Sequence, residues 1–188
     1  MRQLQFSHFR QSLLAGACDD GALYTWDTNT KTQLQCFDVG AHGHTAPCTG
    51  LVFSPRNQML LISVGLDANI ICYDIVTNKV IESLPSGDAC TSVDMMSDGA
   101  TLVVGSSRGR LSVYDLRNTS QPVRSTMAHQ SCVTRLCFSS NSQNSTKVTL
   151  SYSQLYHSSQ QFSMSVTNML KVFFAGLVFW CINIVLWM

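Results

Sequence analysis

The chain has 188 residues, 12 basic and 11 acidic side chains and a formal net charge of +1. Residues 1–115 hold seven basic and 11 acidic groups and residues 116–188 hold five basic and none acidic, so neither part has the cationic density of a nucleic-acid binder. The eight cysteines form no CxxC and repeat at no metal-ligand spacing. The amino terminus, MRQLQFSHFRQSLL, contains no apolar core of signal-peptide length. A reducing, cytosolic compartment follows, in which the sequons at Asn118 and Asn144 stand idle and Cys18, Cys72 and Cys137 act as small strand hydrophobes.

In chain order, residues 1–7 read as a short alternating strand. Residues 12–27, SLLAGACDDGALYTWD, read as two strands joined at Asp19-Asp20-Gly21, where glycine accepts a positive φ at no steric cost. Thr32–Phe37 supplies an outer strand, and Ala41–Thr45, AHGHT, a connecting loop. The pattern then runs again through Cys48–Ser54, Met59–Val64, Ile70–Asp74 and Lys79–Leu84, with the hairpin phrase SVGLDANIICYD at Ser63–Asp74. A third pass covers Cys90–Met95, Thr101–Gly105, Leu111–Asp115 and Val123–Met127. A fourth opens with Ala128-His129-Gln130 and Cys132–Ser139, after which the hairpin phrase is lost. Ser140–Thr167 is rich in Ser and Gln and lacks acids, a composition typical of a flexible tether. Val172–Met188 is 17 residues without a charge, flanked by Lys171. As a helix it would extend about 25 Å, the short edge of a membrane span.

The aromatic–Asp endings fix the period. Trp26, Tyr73 and Tyr114 recur at intervals of 47 and 41 residues. A second marker keeps the same phase: Phe6 and Phe53 each precede their aromatic by 20 residues, and Met95 precedes Tyr114 by 19. A repeat of this length reads as a WD40 blade of four strands. The expected fold is therefore all-β, a partial WD40 β-propeller of three blades plus one strand, followed by a disordered linker and a carboxy-terminal hydrophobic helix. The domain expectation is a partial propeller over 1–139, a Ser/Gln-rich linker over 140–167 and a hydrophobic, candidate transmembrane helix over 168–188. Propellers close with roughly four to eight blades, so this count predicts an open arc, a piece of a longer pattern that begins after its first Gly-His loop. Trp26, Tyr73 and Tyr114 should be buried on third strands, with Phe6, Phe53 and Phe138 on innermost strands. Uncovered end faces predict instability or association when the chain stands alone.

The blade markers are Asp20, Trp26, His44, Asp67, Tyr73 and Tyr114. For His44 three roles stand side by side: a hydrogen bond to Asp67 tying the loop to its hairpin, metal ligation together with His42, or simple exposure. In the third blade Arg108 replaces the marker Asp and Gly87-Asp88 replaces the loop histidine, so the His–Asp network should be lost there. Arg108, Arg110 and Arg117 are candidate partner contacts, since guanidinium suits bidentate carboxylate or phosphate recognition; ordinary solvated turn arginines are the alternative.

The phrases SLLAGACDDGALYTWD, FSPRNQMLLISVGLDANIICYD, DGATLVVGSSRGRLSVYDLR and SQPVRSTMAHQSCV go beyond the generic repeat in their turns and loops. Over residues 1–138 the chain resembles the carboxy-terminal half of the propeller in the family of centrosomal and spindle adaptors that recruit γ-tubulin ring complexes. That resemblance implies a localising propeller with protein partners, at centrosome and spindle in the cytoplasm, serving microtubule nucleation in mitosis. The family's carboxy-terminal helical region, which binds γ-tubulin complexes, has no counterpart here, and Ser140–Met188 resembles nothing in the family.

No catalytic constellation emerges around His8, His42, His44, His129 or His157, so a non-enzymatic interaction scaffold is expected, without cofactor, metal or nucleic acid. Two other readings stand beside it. Tyr114-Asp115-Leu116-Arg117 matches the form of the ending used by WD40 substrate receptors of cullin-type ubiquitin ligases, and Val172–Met188 would suit a tail-anchored membrane protein.

Overall fold

Short runs of β-branched, aromatic and aliphatic residues, bounded by turns rich in Asp, Asn and Gly, build antiparallel ladders strand after strand. The computed structural model of the protein describes residues 1–38, 43–119, 121–141, 145–152 and 160–165. The first sheet takes β1 (Gln3–Phe6), β2 (Leu13–Ala17), β3 (Leu23–Asp27) and β4 (Thr32–Phe37). The second takes β5 (Cys48–Phe53), β6 (Leu60–Gly65), β7 (Asn69–Asp74) and β8 (Lys79–Pro85). The third takes β9 (Cys90–Met95), β10 (Thr101–Ser106), β11 (Arg110–Asp115) and β12 (Arg124–Met127). The fourth holds β13 (Val133–Asn141), β14 (Ser145–Tyr152) and β15 (Gln160–Ser165). Within each sheet the strands lie in sequence order and pair antiparallel. The fold is all-β, a partial WD40 propeller whose sheets follow one another as an open arc.

The first strand of each sheet lines the inside of the arc, β1 beside β5, β5 beside β9 and β9 beside β13. Polar side chains of one inner strand bind the backbone of the next. Gln3 brackets Leu51, its Oε1 accepting the Leu51 N–H at 3.0 Å and its Nε2 donating to the Leu51 carbonyl at 3.1 Å. The Thr49 hydroxyl donates to the Cys90 carbonyl at 2.9 Å, and Thr91 repeats the contact on Val133 at 2.6 Å. Asp94 accepts the Phe138 N–H at 2.7 Å. Edge groups that would be orphaned on an isolated strand are thereby satisfied.

Alternation gives each sheet one face toward its predecessor and one toward its successor. Leu51, Phe53, Leu61 and Tyr73 of the second sheet pack on Ala15, Ala17, Leu23 and Phe37 of the first, with the Phe37 and Tyr73 ring centroids 4.5 Å apart. From its other face Val52, Ile62, Val64 and Ile70 meet Val93, Met95, Leu102 and Tyr114 of the third sheet. Val103 and Leu111 then meet Val133 and Leu136 of the fourth.

Several expectations change against this architecture. The fourth sheet has three strands rather than one, with β14 and β15 occupying much of the stretch read as a tether. The physical reason lies in the period: Val148, Leu150 and Tyr152, then Phe162 and Met164, alternate with polar residues, a strand pattern that survives a low-complexity composition. Trp26 is half-buried rather than buried, because no sheet among the described residues covers the face it occupies. Cys137 is exposed on β13, not a buried strand thiol, and Cys18 lies just beyond β2, half-buried. No helix among the described residues is long and apolar enough to cross a membrane, and Val172–Met188 lies outside the described residues.

Candidate functional site

At one end of the sheets the tight β2–β3, β6–β7 and β10–β11 turns meet the loops that lead into the following sheets. A backbone tie repeats there. The His44 N–H donates to the Gly21 carbonyl at 3.3 Å, Ser86 to Ala68 at 2.8 Å and His129 to Gly109 at 3.1 Å. Each accepting residue has a positive φ: +88° at Gly21, 62° at Ala68 and +81° at Gly109.

In the second sheet side chains add a further tie, from the entering loop to that sheet's own β6–β7 turn. His44 is fully buried. Its Nδ1 lies 2.9 Å from Asp67 Oδ1, its Nε2 lies 2.7 Å from the Ser63 hydroxyl, and that hydroxyl lies 3.4 Å from the Tyr73 hydroxyl. Asp67 also accepts the Thr45 N–H at 3.1 Å and the Asn69 N–H at 3.2 Å. Gly65 makes the closeness possible, since a Cβ there would sit 2.5 Å from His44 Nδ1 and 2.7 Å from Asp67 Oδ1. Burial pushes His44 below its usual 6.5 against the pull of Asp67. Burial pushes Asp67 upward, yet the neighbouring His44 and the hydrogen bonds from His44, the Thr45 amide and Asn69 outweigh it and hold the carboxyl below 3.8. A neutral ring therefore donates from Nδ1 to Asp67 and accepts from Ser63 at Nε2. Both nitrogens are engaged, so this histidine is a strut, with neither ring nitrogen left for metal or proton transfer. His42 lies outside the described residues.

The third sheet makes the equivalent tie with reversed polarity. Asp88, on the loop, faces Arg110 Nε at 2.8 Å and Arg108 Nη1 at 3.3 Å, on the turn. Sequence reading anticipated the loss of the His–Asp pair but missed this replacement; Asp88 beside two turn arginines was the available signal. The guanidinium groups are accordingly shared with a carboxylate, Arg110 being 42% and Arg108 79% exposed. Arg117 sits at the far end of β11, where it grips Asp115 with two bonds of 2.9 and 2.8 Å. Arg108 and Arg110 therefore share one end of the sheet and Arg117 does not join them.

The other markers are placed as follows. Asp20 closes its own turn, accepting the Ala22 N–H at 2.9 Å. Tyr73 and Tyr114 are fully or almost fully buried. The Tyr114 hydroxyl has no counterpart of the Ser63–Tyr73 contact, because Val104 stands where Ser63 stands in the second sheet. Trp26 stacks on Tyr24 with centroids 5.8 Å apart. Phe6 and Phe138 lie on inner strands β1 and β13, as Phe53 does on β5.

Among the described residues no group of three or more His, Cys, Asp or Glu side chains could hold a metal ion. The buried thiols are poor nucleophiles, Cys48 and Cys72 being pushed up to about 12 by burial. At the opposite end a groove of about 530 Å³ opens between the first and second sheets, lined by Phe9, Arg10, Leu34, Gln58 and Val76 among others. No repeat marker pointed to it, because its walls come from loops that vary between blades. What the arrangement offers is a stack of sheets that presents turns and grooves suited to contact with other proteins.

Residues 2–170 match the family described as Nucleolar protein 10-like, N-terminal domain, a β-propeller. The chain is 41% identical over 138 residues to Protein NEDD1 of Mus musculus and of Homo sapiens, which covers 73% of this chain and 20% of each relative. It is 29% identical over 109 residues to WD repeat-containing protein 76 of Mus musculus, covering 57% of this chain and 17% of that protein. The chain spans about a fifth of the length of the NEDD1 proteins it matches.

Proposed function

Because the chain belongs to the β-propeller family described as Nucleolar protein 10-like, N-terminal domain, we propose that it is a non-enzymatic interaction scaffold: the WD40 part of a centrosomal adaptor that helps bring γ-tubulin ring complexes to centrosome and spindle. The observation that carries this reading is the 41% identity to NEDD1 over 138 residues, 73% of the chain. The structure agrees in kind, with sheets held rigid by inter-sheet bonds and a turn-and-loop end suited to protein contacts. Partners are accordingly centrosomal proteins, and the site of action is the cytoplasm around centrosome and spindle.

The ubiquitin-ligase reading is weaker. It depends on Arg117, whose guanidinium is held in a two-bond fork by Asp115 of the same turn.

Affinity purification of the tagged full chain from mitotic cells tests the proposal. Recovery of centrosomal proteins together with γ-tubulin, and tag signal at spindle poles, is the expected result. Recovery of a cullin adaptor in their place, or a diffuse tag with no centrosomal protein recovered, would overturn it.

A further inference from the structure

The turn between β10 and β11 is fastened from both neighbouring loops and from within. Ser106 Oγ accepts the Arg108 N–H at 3.3 Å and the Arg110 N–H at 3.0 Å. The Ser107 N–H donates to the Ala89 carbonyl of the loop before β9 at 2.9 Å. On the other side the Gly109 carbonyl accepts the Ala128 and His129 amides of the loop after β12, at 2.9 and 3.1 Å. Arg108 and Arg110 therefore leave the backbone from fixed positions on either side of Gly109.

This turn carries one cation more than its tie needs. Arg110 holds Asp88 closely, its Nε lying 2.8 Å from Oδ2, and its Nη1 reaches the Ser125 hydroxyl at 3.4 Å. Arg108 meets the same carboxylate through Nη1 alone, at 3.3 Å, and is 79% exposed where Asp88 is 10% exposed. The carboxylate thus lies beneath and the guanidinium above, with most of its five N–H donors unspent. Residues 116–188 contain no Asp or Glu, so no carboxylate from the later part of this chain offsets the surplus. The other two hairpin turns at this end have the opposite sign. Asp67 stands on β6–β7, and Asp19 and Asp20 stand on β2–β3, where Arg2 engages only Asp19.

From this we infer that Arg108, steadied by Asp88 and Arg110, docks a short acidic segment of a partner protein, one carboxylate taking the outward donors of the guanidinium. This partner class rests on the scaffold function proposed for the chain. A carboxylate matches the planar fork of arginine, and a turn already held in place costs little ordering on binding. A nucleic-acid strand carries a charge at every phosphate and needs cations to recur along its path, whereas the neighbouring turns offer Asp67 and Asp20. A brief run of Glu or Asp between neutral residues meets the cationic turn alone.

Fluorescence anisotropy of a labelled Gly-Glu-Glu-Glu-Gly peptide, titrated with the purified full chain, tests it. The expected result is saturable binding that weakens severalfold as salt rises from about 50 to about 200 mM. Arg108→Gln should weaken it by at least about fivefold. The far-ultraviolet spectrum should not change, since Arg108 is exposed and Arg110 keeps Asp88 paired. Arg117→Gln, which removes the same charge at the far end of β11, should leave binding intact. Three outcomes overturn the inference: no saturable binding by the parent chain, equal weakening by Arg108→Gln and Arg117→Gln, or tighter binding of a deoxythymidine oligonucleotide of the same charge. The titration needs only chain and peptide. Failure to recover centrosomal proteins by affinity purification would break the scaffold assignment and leave the titration readable, whereas a failed titration would overturn the acidic-segment partner alone.

Discussion

The second and third sheets solve one problem with opposite chemistry. In each, the loop entering the sheet must be fastened to that sheet's own hairpin turn. The second sheet uses a buried imidazole on the loop and a carboxylate on the turn, His44 to Asp67. The third uses a carboxylate on the loop and guanidinium groups on the turn, Asp88 to Arg110 and Arg108. The first pair is dry and continues inward through Ser63 to Tyr73. The second is half in water and stops at the surface. What the fold requires is the tie; its polarity and depth are open, and depth decides how much each tie contributes.

The largest test of this difference is at the inner end of the dry network. Tyr73→Ala should destabilise the protein by about 3–5 kcal/mol, the range for deleting a fully buried aromatic. Trp26→Ala, at the same repeat position but on the uncovered face, should cost roughly half as much or less. Urea unfolding of the two variants compares them directly, and equal losses would mean that Trp26 is covered in solution.

Next in size is the tie itself. His44→Ala removes two hydrogen bonds and leaves Asp67 short of a partner, at a cost of about 2–3 kcal/mol. Asp88→Ala should cost no more than about 1 kcal/mol, because its arginines remain hydrated and the pairs are screened. Raising the salt concentration should shrink the Asp88 effect while leaving the His44 effect nearly unchanged. Salt sensitivity of the His44 variant would show its pair to be wetter than its burial indicates.

Much of this fold was legible because the repeat is redundant. Trp26, Tyr73 and Tyr114 with Phe6, Phe53 and Phe138 fix strand phase twice over, and turn residues fix where hairpins close. The candidate pairing of His44 with Asp67 could be read from the same phase. Asp88 was harder, because a tie with reversed charges leaves no marker at the expected letters. β14 and β15 were missed since Ser and Gln dominate the composition between sparse apolar residues, and there the period carries the signal. The exposure of Leu4 and Phe6 depends on what lies beside a sheet, which strand alternation alone does not specify.

The pH response probes the dry tie more finely. Burial depresses His44 below 6.5 in the folded protein. As pH falls below 6.5 the unfolded chain takes up a proton that the folded one resists, so stability is fully present above that value and declines beneath it. Asp67, held below 3.8 when folded, keeps its contribution above 3.8 and loses it as pH falls further. His44→Gln should therefore flatten the stability profile between about pH 7 and pH 5 relative to the parent chain. Parallel profiles for the parent and His44→Gln chains would place the ring in solvent.

The smallest effect concerns the turns beneath the ties. At Gly21 and Gly109 a Cβ would meet the carbonyl oxygen of the following loop, His44 at 2.5 Å and His129 at 2.0 Å, so only glycine fits. The second sheet places Ala68 at the same position with φ 62°. A left-handed conformation costs a non-glycine residue on the order of 1–2 kcal/mol. Glycine would relieve it but lose more backbone entropy on folding, about 0.5–1 kcal/mol. The balance favours Ala68→Gly by roughly 0.5 kcal/mol, a small rise in the urea midpoint with unchanged slope. An unaltered or lower midpoint would mean that the alanine methyl gains enough from its packing under the Ser86 loop to offset its strain, which would explain why this turn alone of the three dispenses with glycine.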